Sequence, residues 1–592
     1  GMKLIEKEFP LAEVNAVAEY ESGFLKMMPR ETTERIRKLI RLSQLRFTDP
    51  PKLRNLMYYP ARRPISASRA LTLAAALEDS AKKEELLSAI GFEEAIRRAR
   101  HNGVFIPLYA IDPDRNLVKK LFGGNPKSFV VVDPMAGGGS IPLEALRLGF
   151  AVVAGDCNPL AYLLLRATIE FPAKYGRRLY ELVNEEARRM IEYAQRELGR
   201  FYGERDTNYI LFRVARHDCG GVLPIVKTGA LDKKREIYVD FDFDKEAKAP
   251  RPRITDKQPP PLVSCPYCGR PVSEGALQRR WIEEHARLLG ALLSGDEDAA
   301  EGVDSVYMLA AVQYREGRRR AYRAPTEEDL RRLKEAAREL ARLAKRGELA
   351  IPLSEIPEGN EVFSEVREAG LRFWYQLFSP RQLLALSKLA SYVRSRAETL
   401  RREHGELGVA AALYLSLALA KTTNFNCLLT QWDARTQTIR DIAGSQYALG
   451  RKVRLGHDFG EAIVPFVNLP WVFEAEEEEG EEEEEEVEST RGGILPVLKL
   501  LCSSLEGLWS EGVDSVYLWD AREIDKILPP ASVDLVHVDP PYYEQHDYAG
   551  ITEFYWVVVQ HALLPVLDDL FPPERVKIAW SPYEPEIPRS LE

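Results

Sequence analysis

The sequence predicts an α/β protein, in which an open, parallel, Rossmann-like sheet is interrupted by a long, mostly helical insertion. Three observations predict it. A short β-branched run at 128–132 passes through a glycine-rich turn into helical spacing at 141–148, and a second apolar strand follows at 150–154. That strand–loop–helix–strand order opens a doubly wound sheet. Strand-like runs of the same kind return only at 513–518 and 533–538. Between them, apolar residues recur at helical spacing around 276–300, 325–347, 380–402 and 410–420.

At 592 residues the chain is long for one domain. The expected division is an N-terminal helical region over 1–120, the first half of the sheet domain over 121–175, an insertion over 176–500 and the second half over 501–592. In the N-terminal region, helices are expected over 31–45 and 68–87, separated by the basic-aromatic loop Tyr58-Tyr59-Pro60-Ala61-Arg62-Arg63-Pro64. Arg62 and Arg63 are candidates for phosphate contact or for pinning the helices to the sheet domain. The insertion opens with a cysteine-bearing segment over 210–275, where the proline-rich stretches 249–252 and 259–261 are expected to be loops. Residues 276–473 are the expected target-recognition region, and the glutamate run 474–488 is an expected disordered spacer, since like charges repel and nothing there can be buried. The formal net charge of −10 owes more than its whole excess to that run, so basic faces remain available elsewhere.

No stretch approaches the roughly 18 uninterrupted apolar residues of a membrane span, and the N-terminus lacks a signal-peptide core. No membrane partner is expected, and a cytoplasmic location is. Six cysteines are too few for a disulfide framework, and the one close pair, Cys265 and Cys268, suggests metal or redox chemistry.

The glycine turn reads Asp133-Pro134-Met135-Ala136-Gly137-Gly138-Gly139-Ser140. It departs from the Gly-x-Gly-x-x-Gly of dinucleotide sites, because Pro142 stands where the last glycine would be. It fits Asp-Pro-x-x-Gly-x-Gly, the pattern of S-adenosyl-L-methionine (AdoMet) sites. Asp133 is placed to hold the ammonium end, and the N–H groups of the turn suit a carboxylate. Asp156, in the turn Gly155-Asp156-Cys157-Asn158-Pro159 after the second strand, is placed for a ribose hydroxyl. Asp520, followed by Ala521 at the end of a later strand, is placed for the adenine amino group.

Asp539-Pro540-Pro541-Tyr542 closes the strand at 533–538. An exocyclic amine conjugated to a base ring is a poor nucleophile. Asp539 and the Pro540 carbonyl can each accept one N–H, which aims the nitrogen lone pair at a methyl donor. The prolines stiffen the turn, and Tyr542, assisted by Tyr543, offers a face for the base. A base inside a duplex must be flipped out to reach such a site.

With these motifs in hand, the chain resembles the prokaryotic family of adenine-specific DNA methylases containing a zinc ribbon. The likeness runs through Phe9-Pro10-Leu11, the stretch Tyr-Pro-Ala-Arg-Arg-Pro-Ile-Ser-Ala-Ser-Arg at 59–69, the glycine turn, 155–159, Trp432-Asp433, His457-Asp458-Phe459-Gly460-Glu461 and 539–542. The resemblance implies an AdoMet-dependent methyltransferase acting on the N6 amine of adenine in DNA. It also implies a zinc ribbon with paired cysteine knuckles. The second knuckle is present as Cys265 and Cys268, but the first reads Arg216-His217-Asp218-Cys219, with Arg216 at an expected cysteine position. The expected structural Zn²⁺ ligands are therefore Cys219, Cys265, Cys268 and His217. His457, Asp458 and Glu461 are read as polar residues of a helix surface or cleft in preference to a metal cluster.

Two alternatives stand beside DNA adenine methylation. One is the same chemistry on tRNA or rRNA bases. The other is an AdoMet- and nucleic-acid-binding component that needs a partner. After 539–542 the sequence offers one helix and a short strand at 576–580, fewer strands than a methyltransferase sheet normally has. The sheet is accordingly expected to be incomplete at the C-terminus, with a second subunit as the completing partner.

Overall fold

The computed structural model describes residues 1–22, 28–48, 52–60, 64–317, 319–442, 452–461, 465–474, 476–477, 490–491, 493–541 and 547–588. Arg62, Arg63, Tyr542, Tyr543 and most of the glutamate run lie outside the described residues. At the two ends of that run, Glu476–Glu477 pairs with Thr490–Arg491.

A four-stranded parallel sheet organises the site. Its order is Ser515–Leu518, Ala151–Asp156, Val130–Asp133, Leu535–Val536. Ala151–Asp156 is buried at every position, as expected of a strand covered on both faces. Leu535–Val536 is short, but flanking bonds from Asp534 N to Val130 O and His537 N to Val132 O, both 3.0 Å, carry the ladder further. The expected strand at 576–580 is a single parallel bridge, Val576 to Leu518, on the edge opposite Leu535–Val536. The helices Ser140–Arg147 and Pro159–Leu165 follow the first two strands as the sequence predicts, and a π turn, Arg166–Glu170, extends the second.

One hydrophobic core runs from Leu4 to Ile587 and joins the N-terminal helices, the sheet and the long helices of the insertion. The helices Pro380–His404 and Glu406–Phe425 pack against Tyr548–Leu563, so the insertion shares its core with the sheet domain. The segment Tyr548–Leu570 has the length and hydropathy of a membrane span, but 83% of its window is buried within this core.

Four sequence expectations are corrected. The helix expected over 68–87 is two helices, Ile65–Ala76 and Lys83–Ala89. The break falls where Leu77 and Glu78 turn to pair with the N-terminus: Leu4 N donates to Leu77 O and Asp79 N to Met2 O. The proline-rich stretch 249–252 belongs to a strand, Ala249–Thr255, not a loop. It is the edge strand of a three-stranded antiparallel sheet, where Pro250 and Pro252 direct their missing N–H groups outward. The region 276–473 is not helical throughout. Tyr307–Glu316, Arg319–Arg323 and Asp458–Glu461 join Asp206–Arg216 and Val222–Ile225 in a five-stranded antiparallel sheet with a second core of its own. Residues 458–461 are consequently strand rather than helix surface.

The helix Ile65–Ala76 ties the two distant halves of the sheet together. Arg69 pairs with Glu144 at 2.5 Å, and both side chains are fully buried. Arg69 also donates to the carbonyls of Ile90 and Ile111 at 2.8 Å. Arg147 bonds the other oxygen of Glu144 at 2.8 Å. One turn along the helix, Thr72 Oγ1 lies 2.7 Å from His537 Nδ1, on the strand leading to Asp539. Residues three apart share a helix face. A single face thus grips the helix after the glycine turn and the strand before Asp539.

Candidate functional site

The glycine turn and Asp539 follow adjacent parallel strands. The chain order reverses between those strands, and open α/β sheets form their ligand crevice at such a place. Ala136 N donates to Gly155 O at 3.0 Å, and Gly139 N to Ala136 O at 2.8 Å. Gly137 and Gly139 adopt φ of +50° and +86°, which side chains resist. A Cβ on Gly137 would also meet the Tyr59 ring at 3.0 Å. Pro134 O accepts from Trp519 Nε1 at 3.0 Å, and the Trp519 ring lies across Gly155, so the third strand braces the turn.

Two acids face this turn from strand ends. Asp133 accepts from Met135 N at 3.2 Å. Asp156 accepts from Gly137 N and Asn158 N, both at 2.9 Å. Both carboxylates are buried, and neither has an ion pair among the described residues. Burial pushes the Asp133 carboxyl up to about 8, and the neighbouring Asp156 carboxylate adds to the rise. Burial likewise raises Asp156. Two buried acids without a cation favour a positively charged ligand. Cys157 is half-buried. Asn158 caps the helix Pro159–Leu165 and donates to Thr552 Oγ1 at 2.8 Å. Ser140 and Ala136 are buried.

Asp520 caps the short 3₁₀ helix Ala521–Lys526 and pairs with Arg522 at 2.7 Å, so an adenine amino group there would share it with Arg522. The Asp520–Arg522 hydrogen bond lowers the Asp520 carboxyl. Asp539 is half-buried, whereas Pro540 and Pro541 are exposed. His537 stays neutral, because burial pushes its imidazole down to about 4.

Several groups gather beside the turn, of which only the tyrosines of the basic-aromatic loop belong to a sequence motif. Tyr59 packs on Gly137 and stands 5.8 Å, ring to ring, from Tyr548. Tyr555 donates to Asn424 Oδ1 at 2.7 Å, and Asn424 donates to Asp441 at 2.8 Å. Burial, with Asp441 and Tyr548 nearby, pushes the Tyr58 hydroxyl up to about 12. The Tyr58-Tyr59 pair stood out as aromatic in sequence, but Asn424 and Asp441 lie on unrelated elements and carried no pattern.

A second site gathers His217, Cys219, Cys265 and Cys268, whose ligand atoms all lie within 4.8 Å of one another. His217 Nδ1 is 3.4 Å from Cys219 Sγ and 3.7 Å from Cys268 Sγ, and the Cys219 and Cys265 sulfurs are 3.7 Å apart. A tetrahedral zinc with bonds of about 2.3 Å to sulfur sets its ligands about 3.8 Å apart. The donor set therefore fits a tetrahedral metal. Gly269 N donates to Cys265 O at 2.8 Å, closing the second knuckle, and Gly220 N to His217 O at 2.8 Å, closing the first. Arg216 stays outside the cluster and bonds Ser305 Oγ at 3.4 Å.

His457, Asp458 and Glu461 form no such cluster. Glu461 pairs with buried Arg381 at 2.5 Å, and His457 Nε2 lies 2.7 Å from Glu274. No family model, curated protein or solved structure matches the chain.

Proposed function

We propose that the chain is an AdoMet-dependent amino-methyltransferase of the Rossmann-like kind, acting on the N6 amine of adenine in DNA. The observation that carries this reading is the pair of buried, uncompensated acids at the glycine turn, Asp133 and Asp156, beside the strand that leads to Asp539. AdoMet brings an ammonium and a sulfonium, the charges such a site lacks. In this reading Asp133 holds the ammonium, Asp156 the ribose and Asp520 the adenine. Asp539 and the Pro540 carbonyl take the two N–H groups of the substrate amine.

Asp133 supplies a direct test. Without ligand its carboxyl is mostly protonated at pH 7, and an ammonium beside it favours the carboxylate. AdoMet binding at pH 7 is expected to release close to one proton, counted by calorimetry in buffers of different ionisation enthalpy. Asp133→Asn is expected to weaken binding by about 10- to 100-fold, the worth of a charge-assisted hydrogen bond. The raised value also sets a sign for stability. The contribution of this group is fully present below its ordinary 3.8 and is lost as the pH rises through about 8. The free protein should therefore lose stability from this group over that window, and AdoMet should restore it. Binding without proton release at pH 7 would sink the assignment.

Transfer itself is read with radiolabelled AdoMet and either duplex DNA or tRNA, followed by digestion. Label in N6-methyladenine from DNA supports the reading, and label in a tRNA base transfers it to RNA. A second reading is favoured by the strand before Asp539, on which Val536 and Val538 are 58% and 38% exposed. There the chain binds AdoMet but transfers only when another polypeptide extends the sheet. AdoMet binding without transfer by the isolated chain is its signature.

For the cysteine cluster we propose structural zinc. Purified protein is expected to hold one zinc per chain by elemental analysis, and Cys265→Ser to lose it. His217→Ala should lose zinc as well, whereas Arg216→Ala should keep it. Retention of zinc by His217→Ala would exclude the histidine as the fourth ligand.

A further inference from the structure

The insertion sheet carries a feature that no motif announced. Three turns from distant parts of the chain, 232–236, the turn between Tyr307–Glu316 and Arg319–Arg323, and 433–438, meet at one end of the second core. Lys233 N donates to Ala434 O at 2.9 Å. Arg235 Nη2 donates to Arg320 O at 2.7 Å, and Arg320 Nη1 to Thr436 O at 2.9 Å. Behind them, Leu231 O accepts from both Tyr322 OH at 3.2 Å and Trp432 Nε1 at 2.9 Å. The Tyr322 and Trp432 rings meet edge to face at 6.2 Å. Each turn is thus bonded to the next and braced from below.

The turns, with the strand Thr438–Arg440 that follows the third, are strongly basic in a chain of net charge −10. Among the described residues, segments 232–236, 315–317, 319–320 and 433–440 contain eight lysines and arginines against four acids. Asp232 is buried and taken up by Arg235, and Asp433 by Arg440. Lys233, Lys234, Arg319 and Arg435 are exposed, and none makes an ion pair among the described residues. Four exposed cations without an ion pair among the described residues thus stand on mutually bonded turns; the other two acids, Glu236 and Glu316, are exposed on the same turns, Glu316 opposite Arg319, and leave the surface with a net positive charge.

We propose that this surface docks the phosphate backbone of duplex DNA. A regular array of phosphates is the partner that repays such a cluster, by releasing condensed counterions. Binding of unpaired strands relies on exposed aromatic faces for stacking. Here Trp432 is buried and Tyr322 half-buried, both engaged beneath the turns. The choice of DNA over RNA rests on the proposed function. The surface itself does not, since it requires neither AdoMet nor transfer.

The test measures binding of a labelled DNA duplex by the full chain without AdoMet, across a range of salt. The variant Lys233→Glu/Lys234→Glu/Arg319→Glu/Arg435→Glu is expected to bind more than tenfold more weakly near 0.1 M salt. Its log–log salt slope should be shallower by about 3.6, roughly 0.9 for each of four lost phosphate contacts. A matched variant, Lys120→Glu/Arg178→Glu/Arg188→Glu/Arg402→Glu, carries the same charge change at exposed positions elsewhere and should bind nearly as the parent does. Melting curves and AdoMet binding of both variants control for folding. Unchanged affinity and slope in the first variant, an equal loss in the matched one, or a preference for single-stranded RNA over duplex DNA would overturn the proposal. Failure of AdoMet binding or of transfer leaves these readings intact and counts only against the methyltransferase assignment.

Discussion

Replacing Asp539 with alanine is expected to lower methyl transfer about 10³-fold while AdoMet affinity stays within about twofold. The two quantities separate because different strands carry them. In the proposed reading the cofactor is held by the turn after Val130–Asp133 and by Asp156, whereas Asp539 follows the neighbouring Leu535–Val536. The size of the loss follows from the nitrogen chemistry. The amine becomes nucleophilic only when both N–H groups are accepted and its lone pair leaves conjugation with the ring. Alanine removes one acceptor outright. Asparagine keeps one oxygen acceptor without the charge, so Asp539→Asn should retain part of the rate. Single-turnover kinetics with saturating AdoMet, alongside calorimetric Kd values, check the separation. A parallel loss of AdoMet affinity would move Asp539 out of the catalytic role. Thr72→Val, which removes the partner of His537 two residues before Asp539, provides a milder test of how the loop is held.

Glu144→Gln is expected to destabilise the protein by about 3–5 kcal/mol, the cost of stripping a buried ion cluster of its central charge. Glu144 stands between Arg69 and Arg147 with its side chain fully buried, and both guanidinium groups are 0–3% exposed. Without the carboxylate, two buried cations face a neutral amide, and Asp112, at 3.1 Å from Arg147, and buried Glu21, near Arg69, remain to offset them. The loss should be read from urea unfolding at neutral pH. Because Glu144 lies on Ser140–Arg147, the helix that begins at the glycine turn, the same variant should weaken AdoMet binding. Addition of AdoMet should recover part of the lost stability through mass action. A loss below about 1 kcal/mol would mean that the cluster relaxes or admits water.

Arg69 shows how local patterns and tertiary role diverge. In sequence it ends the stretch at 59–69 and looks like one more basic residue near a loop. In the structure it is a buried anchor reaching Glu144, Ile90 and Ile111. Nothing in its neighbours along the chain announces that, because its partners lie 21 to 75 residues away. The glycine turn is the opposite case. Its strand, φ-demanding glycines and following helix are adjacent in the chain, so apolar runs and glycine spacing were enough to place it. The same holds for the position of Asp156, whose strand and turn are contiguous, whereas the capping role of Asn158 came from the structure.

The insertion was legible where helices are long and amphipathic, as at Glu274–Leu293, Glu327–Lys345 and Pro380–His404. It was misread where strands are short and paired at long range. Ala249–Thr255 contains two prolines and looked like a loop, yet its register with Ile237–Asp244 puts both at the free edge. Asp458–Glu461 is only four residues long, and its strand character comes from Asp206–Arg216, some 250 positions earlier. The cysteine cluster fell between these cases. Cys265 and Cys268 form a knuckle visible in sequence, and His217 was the expected fourth ligand, but that the two turns meet across some 45 residues is decided by the fold.

By itself, the sequence determined the local machinery: a glycine turn with an acid before it, a second acid after the next strand, an Asp-Pro-Pro turn and a cysteine knuckle. Each is written in a few consecutive residues, where backbone freedom and side-chain chemistry act directly. Only the tertiary structure decided that the strands carrying the glycine turn and the Asp-Pro-Pro turn lie side by side, that Arg69 and Thr72 brace both, and that three basic turns converge. Those outcomes depend on pairings across hundreds of residues. Their free energy comes from burial and hydrogen bonds between segments, and no short-range periodicity records it.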